Sequence, residues 1–130
     1  MPALTFPYKR LGGRYAPVIP VVLFSRTLSV QTEAYVDSGA FCSIFRMELL
    51  EALGLQEREG KKQTFKVGDG GLLKAYVFHI PIQIGAIKFR ARVAFSDELQ
   101  IGFNLLGRQT IFNQFEEVAF NERAGKVFFR

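Results

Sequence analysis

The chain has 130 residues, 48% of them apolar, with 14 phenylalanines and a net charge of +5. That suffices for one domain with a packed core, is short for two, and excludes intrinsic disorder. No apolar run approaches the ~18 residues a membrane-spanning helix needs, residues 1–10 lack a signal-peptide core, and a lone Cys42 leaves no internal disulfide, so a cytoplasmic protein without membrane contact is expected.

Residues 1–14 are punctuated by Pro2, Pro7 and Gly12-Gly13 and read as irregular, so residues 1–17 are expected to be an N-terminal arm ahead of one domain over 18–130. Val18–Phe24 is β-branched and apolar and reads as a buried strand, with Pro20 placing it at an edge or near a strand start. Residues 26–36 form a second extended stretch, joined to the first by a tight turn within 25–28. That stretch stops at Asp37, followed by Ser38, Gly39 and Ala40, so a strand ends on a carboxylate at a loop tip with little side-chain bulk around it. The nearest charge in sequence is Glu33, four residues back. A carboxylate among apolar and small neighbours is costly to ionise, which makes Asp37 a candidate for acid/base work.

Residues 46–53 change period: Phe45, Leu49 and Leu53 recur at helical spacing and Gly54 suits a helix stop, which predicts a short amphipathic helix. Residues 56–63 are polar and read as a surface connection. Residues 64–67 and 72–80 flank Gly68-Asp69-Gly70-Gly71 and predict a hairpin with a glycine-dense, mobile tip. Residues 80–84 and 87–95 predict another hairpin around Gly85-Ala86, and in its second arm Ile87, Phe89, Ala91, Val93 and Phe95 alternate with Lys88, Arg90, Arg92 and Ala94. Asn104-Leu105-Leu106 runs into Gly107-Arg108, residues 109–115 predict a second short helix, and residues 118–120 and 126–129 close the chain as a last hairpin. Short strands at regular spacing with one or two short helices indicate an all-β barrel or sandwich.

The two halves echo each other: Tyr35-Val36-Asp37-Ser38-Gly39 precedes the 46–53 helix, and Leu105-Leu106-Gly107-Arg108 precedes the 109–115 pattern, but only the first carries an aspartate. Val36-Asp37-Ser38-Gly39-Ala40 resembles the active-site signature of the retropepsin-like aspartic proteases, where two apolar residues precede Asp-Thr/Ser-Gly-Ala/Ser. Leu105-Leu106-Gly107-Arg108 is similar to that family's non-catalytic apolar-apolar-Gly-Arg element, and Gly68–Gly71 lies between them where the family places its flap. The resemblance covers roughly residues 18–115 and rests on the order of the three features, since each alone is a common pattern.

The resemblance implies a closed, retropepsin-like β-barrel and an aspartic endopeptidase. It casts Asp37, Ser38 and Gly39 as the catalytic element, and Ala40, Gly68, Asp69, Gly70 and Gly71 as substrate-binding. Leu105, Leu106, Gly107 and Arg108 become the support beneath. Hydrolysis by this route needs one carboxylate to accept a proton from water and a second to donate one, a logic established for aspartic-protease dyads rather than derived from this chain. The chain has three aspartates, Asp37, Asp69 and Asp97, and neither of the others follows an apolar strand. The expectation is therefore a C2 homodimer in which Asp37 meets its symmetry mate and acts on a polypeptide. Two departures point to a cellular, bacterial type. Ala40-Phe41-Cys42-Ser43 lacks the acid that pairs with the family's arginine, so Arg108 needs another partner, and a full hairpin follows the second helix.

Blander readings stand beside this one. Asp37 before Ser-Gly suits an ordinary Asx turn, and the glycine-rich tip suits an ordinary hairpin turn. The same fold serves equally as a catalytically silent dimerisation or protein-binding module. Cys42 among Phe41, Ile44 and Phe45 reads as core filler, and His79 between Phe78 and Ile80 as a partly buried structural residue rather than a thiol-protease pair. No His/Cys/Asp/Glu spacing resembles a ligand set, so neither metal nor cofactor is expected. The basic residues are scattered along the chain, which points to solubility rather than nucleic-acid binding.

Overall fold

The computed structural model describes residues 3–66, 70–99 and 101–130. Four β-strands open the chain: β1 (Leu4–Pro7), the short hairpin β2 (Lys9–Leu11) and β3 (Arg14–Ala16), and β4 (Val18–Phe24). They lead into β5 (Ser29–Val36), β6 (Ile44–Arg46) and the helix α1 (Met47–Ala52). The strands β7 (Lys61–Lys66), β8 (Leu72–Ile84), β9 (Ile87–Ser96) and β10 (Asn104–Leu106) follow, and β11 (Val118–Asn121) and β12 (Lys126–Phe129) end the chain.

Seven strands form one sheet in the order β4-β5-β10-β6-β9-β8-β7, and a further pairing of β4 with β8, Val22 opposite Gln83 and Leu23 opposite Ile82, closes it into a barrel. The barrel interior holds Ile19, Val21, Leu23, Phe45, Ile82, Ile84, Phe95 and Leu106, all essentially inaccessible to solvent. Burying each large apolar side chain contributes about 1.5–3 kcal/mol. Pro20 falls in β4 opposite Glu33, beyond the two residues that pair with β8, where its missing N–H breaks no ladder between those strands. In β9 the alternation holds from Ile87 to Val93, but Ala94, Phe95 and Ser96 are all buried. There β6 runs parallel alongside, and a second apolar cluster of Ile44, Leu73, Ala75, Val77 and Ala94 covers the other face.

The helix α1 buries Met47 and Leu50, and the chain leaves it through Leu53 and Gly54, whose φ of +72° is a left-handed stop that glycine adopts without strain. The predicted second helix shrinks to one 3-10 turn, Phe112–Gln114. Ile111 and Phe115 still bury on one side as the sequence indicates, but the segment is too short to nucleate α-helix. β8 is a single 13-residue strand rather than two arms meeting at Ile80, and its first half pairs with β7 while its second half pairs with β9.

The N-terminal stretch is not irregular. β1 pairs antiparallel with β12, Leu4 opposite Phe129, and β12 pairs with β11, giving a three-stranded sheet made by the two ends of the chain. Leu4 and Phe6 pack against the core while Thr5 and Pro7 are exposed, a period-2 pattern that the prolines obscure. Phe129 anchors this sheet, with Phe6 edge-on at 5.9 Å and Phe115 at 5.1 Å between ring centroids. Gly12 and Gly13, with φ of 59° and 84°, form the tight turn that joins β2 to β3.

Tyr8, between β1 and β2, donates its hydroxyl to Glu122 Oε1 at 2.8 Å and its backbone N–H to the Gly125 carbonyl at 2.7 Å, tying the N-terminal stretch to the last hairpin. Burial, then the bond to the Glu122 carboxylate, pushes the phenol up from 10.0 to about 12. The folded state therefore holds this proton more tightly than the unfolded chain, so the contribution is complete below pH 10 and is lost as pH rises towards 12. Urea midpoints across that window are expected to fall more steeply for the wild type than for Tyr8→Phe.

Candidate active site

The site is assembled by one topological feature: β10 inserts between β5, to which it is parallel, and β6, to which it is antiparallel. Leu105 lies opposite Tyr35 on one side and Ile44 on the other, and Leu106 lies opposite Val36. β5 ends there, and Asp37 donates its N–H to the Leu106 carbonyl at 3.0 Å. The two motifs, whose paired positions stand 70 residues apart in the chain, are thus brought into one hydrogen-bonded floor.

Above that floor the Asp37 loop is a tight turn. Asp37 Oδ1 accepts the Gly39 N–H at 2.8 Å, and its carbonyl accepts the Ala40 N–H at 3.1 Å. The Asx hydrogen bond of the blander reading is present, and it orients the carboxylate. Oδ2 has no partner among the described residues. A Cβ at position 39 would sit 3.2 Å from Asp37 Oδ1, so any side chain there would press the carboxylate aside by a few tenths of an ångström. Asp37 is half-buried, and Ser38 and Gly39 are exposed. Ser38 makes no side-chain hydrogen bond within the described chain.

Gly107 is the tightest contact of the site. A Cβ there would fall against the Cys42 carbonyl, 2.6 Å from its carbon and 2.9 Å from the Ala40 oxygen. With only hydrogen in that space, the Gly107 N–H reaches Ser43 Oγ at 2.9 Å. Arg108 donates its N–H to the Ala40 carbonyl at 2.9 Å, and Gln109 to that of Phe41 at 2.7 Å. Ser43, 1% exposed, shares a buried hydroxyl–hydroxyl bond with Thr110. The Leu105–Arg108 element therefore carries the loop through backbone groups. The Arg108 side chain is exposed and makes no ion pair among the described residues.

Residues outside the sequence motifs belong to this floor. The buried Asn104 side chain donates to Thr32 Oγ1 at 3.1 Å and to the Glu33 carbonyl at 2.8 Å, and accepts the Arg46 N–H at 2.9 Å, so one amide links β5 to β6. A lone Asn before an apolar pair carries no sequence signal of this role. A cleft of about 680 Å³ opens beside Tyr35, two residues before Asp37, lined also by Tyr15, Ile101 and Phe103 and by the charged Arg14 and Glu122. Tyr35 and Phe103 pack with ring centroids 5.5 Å apart. The β2–β3 hairpin supplies one wall of this cleft, which the reading of residues 1–17 as an irregular arm does not anticipate.

Gly70 and Gly71 lie exposed where β8 begins, and the β7–β8 hairpin is present, with Lys66 opposite Leu72. Gly68 and Asp69 lie outside the described residues. Cys42 is half-buried at the edge of the second cluster, where burial pushes its thiol up and Sγ lies 3.6 Å from Gln109 Oε1. His79 is exposed rather than partly buried: it points outward from β8 opposite Arg92, while Phe78 and Ile80 take the inner face. Among the described residues no group of three or more His, Cys, Asp or Glu side chains is placed to hold a metal, and no helix is long and apolar enough to cross a membrane.

No family model and no curated protein matches this sequence. The structure is similar to the crystal structure of a retropepsin-like aspartic protease from Rickettsia conorii, with a TM-score of 0.65 over 98% of this chain and 89% of that one, at 16% sequence identity. The likeness establishes the fold: this is a retropepsin-like, all-β acid-protease fold with one short helix.

Gly107→Ala is expected to cost more than the ~1–3 kcal/mol of ordinary overpacking, because the added methyl meets backbone carbonyls that have no rotamer to change. Denaturant titration beside Gly39→Ala, which like Gly107 lies outside the left-handed region but whose Cβ would meet only a side-chain oxygen at 3.2 Å, isolates this clash with backbone.

Proposed function

We propose that the chain is an aspartic endopeptidase that works as a C2 homodimer, each protomer contributing Asp37. The observation that carries this reading is the Asp37 loop itself. Its carboxylate is oriented by the Gly39 N–H, one oxygen is left for chemistry, and the loop rests on the Leu105–Arg108 element, which carries no carboxylate of its own. The similarity of fold to a protein described as an aspartic protease supports the same reading.

In the proposed dimer the two Asp37 carboxylates meet on the axis and share one proton, since two close carboxylates resist ionising together. The ionised member accepts a proton from water as the water attacks the peptide carbonyl. The protonated member gives its proton to the carbonyl oxygen to form a diol. The proton taken from water then passes to the nitrogen, the other carboxylate takes one hydroxyl proton back, and the C–N bond breaks to release amine and acid. Ser38 hydrogen-bonds across the floor between protomers. Ala40 and the glycine-rich stretch Gly68, Asp69, Gly70 and Gly71 hold an extended polypeptide, and the cleft at Tyr15, Tyr35 and Phe103 receives its side chains. A free, unpaired Cys42 supports a reducing, cytoplasmic setting.

The dimer contacts of this reading come from the surface around the loop. The sheet at the chain ends is completed within one protomer, β1 against β12 and β12 against β11, and Phe41, 67% exposed beside Ala40, offers apolar area at the loop instead. A second reading keeps the same fold as a catalytically silent binding or dimerisation module. It is favoured by the Asp37 Asx turn and by Arg108 standing without an acidic partner among the described residues.

Asp37→Asn separates the two. The Asn Oδ1 still accepts the Gly39 N–H, so the loop is expected to keep its shape, while cleavage of an unfolded polypeptide falls by about 10³-fold or more. Sedimentation across a dilution series is expected to show activity tracking the dimer fraction. Equal cleavage by the Asn variant, or full activity from a strict monomer, refutes the shared-carboxylate mechanism, and no cleavage by the wild type at any pH selects the silent module.

A further inference from the structure

On the outer surface of the barrel, a recess of about 310 Å³ lies between β8 and β9 on one side and the segment following Gly107-Arg108 on the other. Its walls carry two guanidiniums and an imidazole, Arg90, Arg92 and His79, facing three carboxamides, Gln109, Asn113 and Gln114. No carboxylate of the described residues lines it. The register explains the grouping: His79 stands directly opposite Arg92, and Arg90 stands opposite Pro81 in the next pair on the same face, whose opposite side is Phe78, Ile80, Ala91 and Val93.

The guanidiniums are held in place by neutral acceptors. Arg90 Nη2 donates to the His79 carbonyl at 2.8 Å, and Arg92 Nη2 donates to Gln63 Oε1 at 2.7 Å. The ion pairs among the described residues lie elsewhere, at Lys9–Glu33, Arg46–Glu48 and Arg130–Glu117. Two arginines side by side, positioned but not neutralised, repel each other and gain from a shared anion. The planar fork of each matches tetrahedral oxyanions, and carboxamide N–H groups supply further donors.

We propose that this recess is a binding site for an oxyanion of the phosphate class, held by Arg90 and Arg92 with Gln109, Asn113 and Gln114 as additional donors. It is separate from the Asp37 carboxylate and independent of the proteolytic reading.

The test is titration of the full chain with inorganic orthophosphate and, in a second arm, methyl phosphate, at constant ionic strength. It is followed by NMR of the side-chain amides and by calorimetry. Saturable binding is expected, with shifts concentrated on the Gln109, Asn113 and Gln114 carboxamides. Arg90→Gln/Arg92→Gln is expected to weaken it by about tenfold or more. The lysine pair Lys61→Gln/Lys62→Gln removes the same charge from exposed positions of β7 outside the recess and is expected to leave it unchanged. Tighter orthophosphate binding assigns the free anion, and tighter methyl phosphate binding assigns a phosphoryl group carried on a larger molecule. A linear, non-saturating response overturns the proposal, and so does equal weakening by the arginine and lysine pairs. Should the double arginine variant lose amide dispersion, Arg90→Gln alone carries the comparison.

Discussion

The structure depends on a three-residue strand inserted between two others. β10 has room for few backbone hydrogen bonds of its own, yet it sets the position of β5, β6 and the Asp37 loop together. Side chains make up the difference. The Asn104 amide uses both ends, donating to Thr32 and Glu33 on β5 and accepting from Arg46 at the end of β6. Each such bond is worth about 1 kcal/mol net, but leaving a buried partner unsatisfied costs about 1–3 kcal/mol, so the arrangement is held mainly by what its loss would expose. Gly107 then lets two carbonyls of the loop come within van der Waals range of the strand's end, which no residue with a Cβ allows.

Fold and proposed chemistry make different demands on the chain. The fold is complete in one protomer: the barrel closes through β4 and β8, and β12 gives both β1 and β11 a partner. The apolar faces of that terminal sheet join the barrel core through Phe6, Phe115, Val127 and Phe129. The chemistry proposed for Asp37 is not complete in one protomer, because water activation and carbonyl protonation need two carboxylates and the facing element carries Gly107.

The surface divides along similar lines. Aromatic and apolar side chains from the N-terminal hairpin and the 101–103 segment line the cleft beside Tyr35, whereas the outward face of β8 and β9 presents arginines to carboxamides. The period-2 alternation of β9 produces this arrangement: its inward residues Ala91 and Val93 belong to the core, and its outward residues Arg90 and Arg92 have nothing acidic in the recess beside them among the described residues.

Much of this was legible in the residues alone. The alternation of Ile87–Val93, the helical spacing of Phe45, Leu49 and Leu53, the glycine-marked turns and the Asp37-Ser38-Gly39 signature are local properties, set by strand and helix periods and by backbone sterics. The echo of strand and glycine turn in the two halves was legible too, but that the two elements pair came only from the family resemblance, because matching local patterns do not specify a partner. The ordered N-terminal strands, the exposure of His79, the role of Asn104 and the recess at Arg90 and Arg92 were not legible. Each depends on what lies opposite: β1 needs β12 more than a hundred residues away, and Asn104 needs acceptors and a donor from two other strands. Periodicity tells a residue which face it occupies, and only the tertiary structure decides what that face meets.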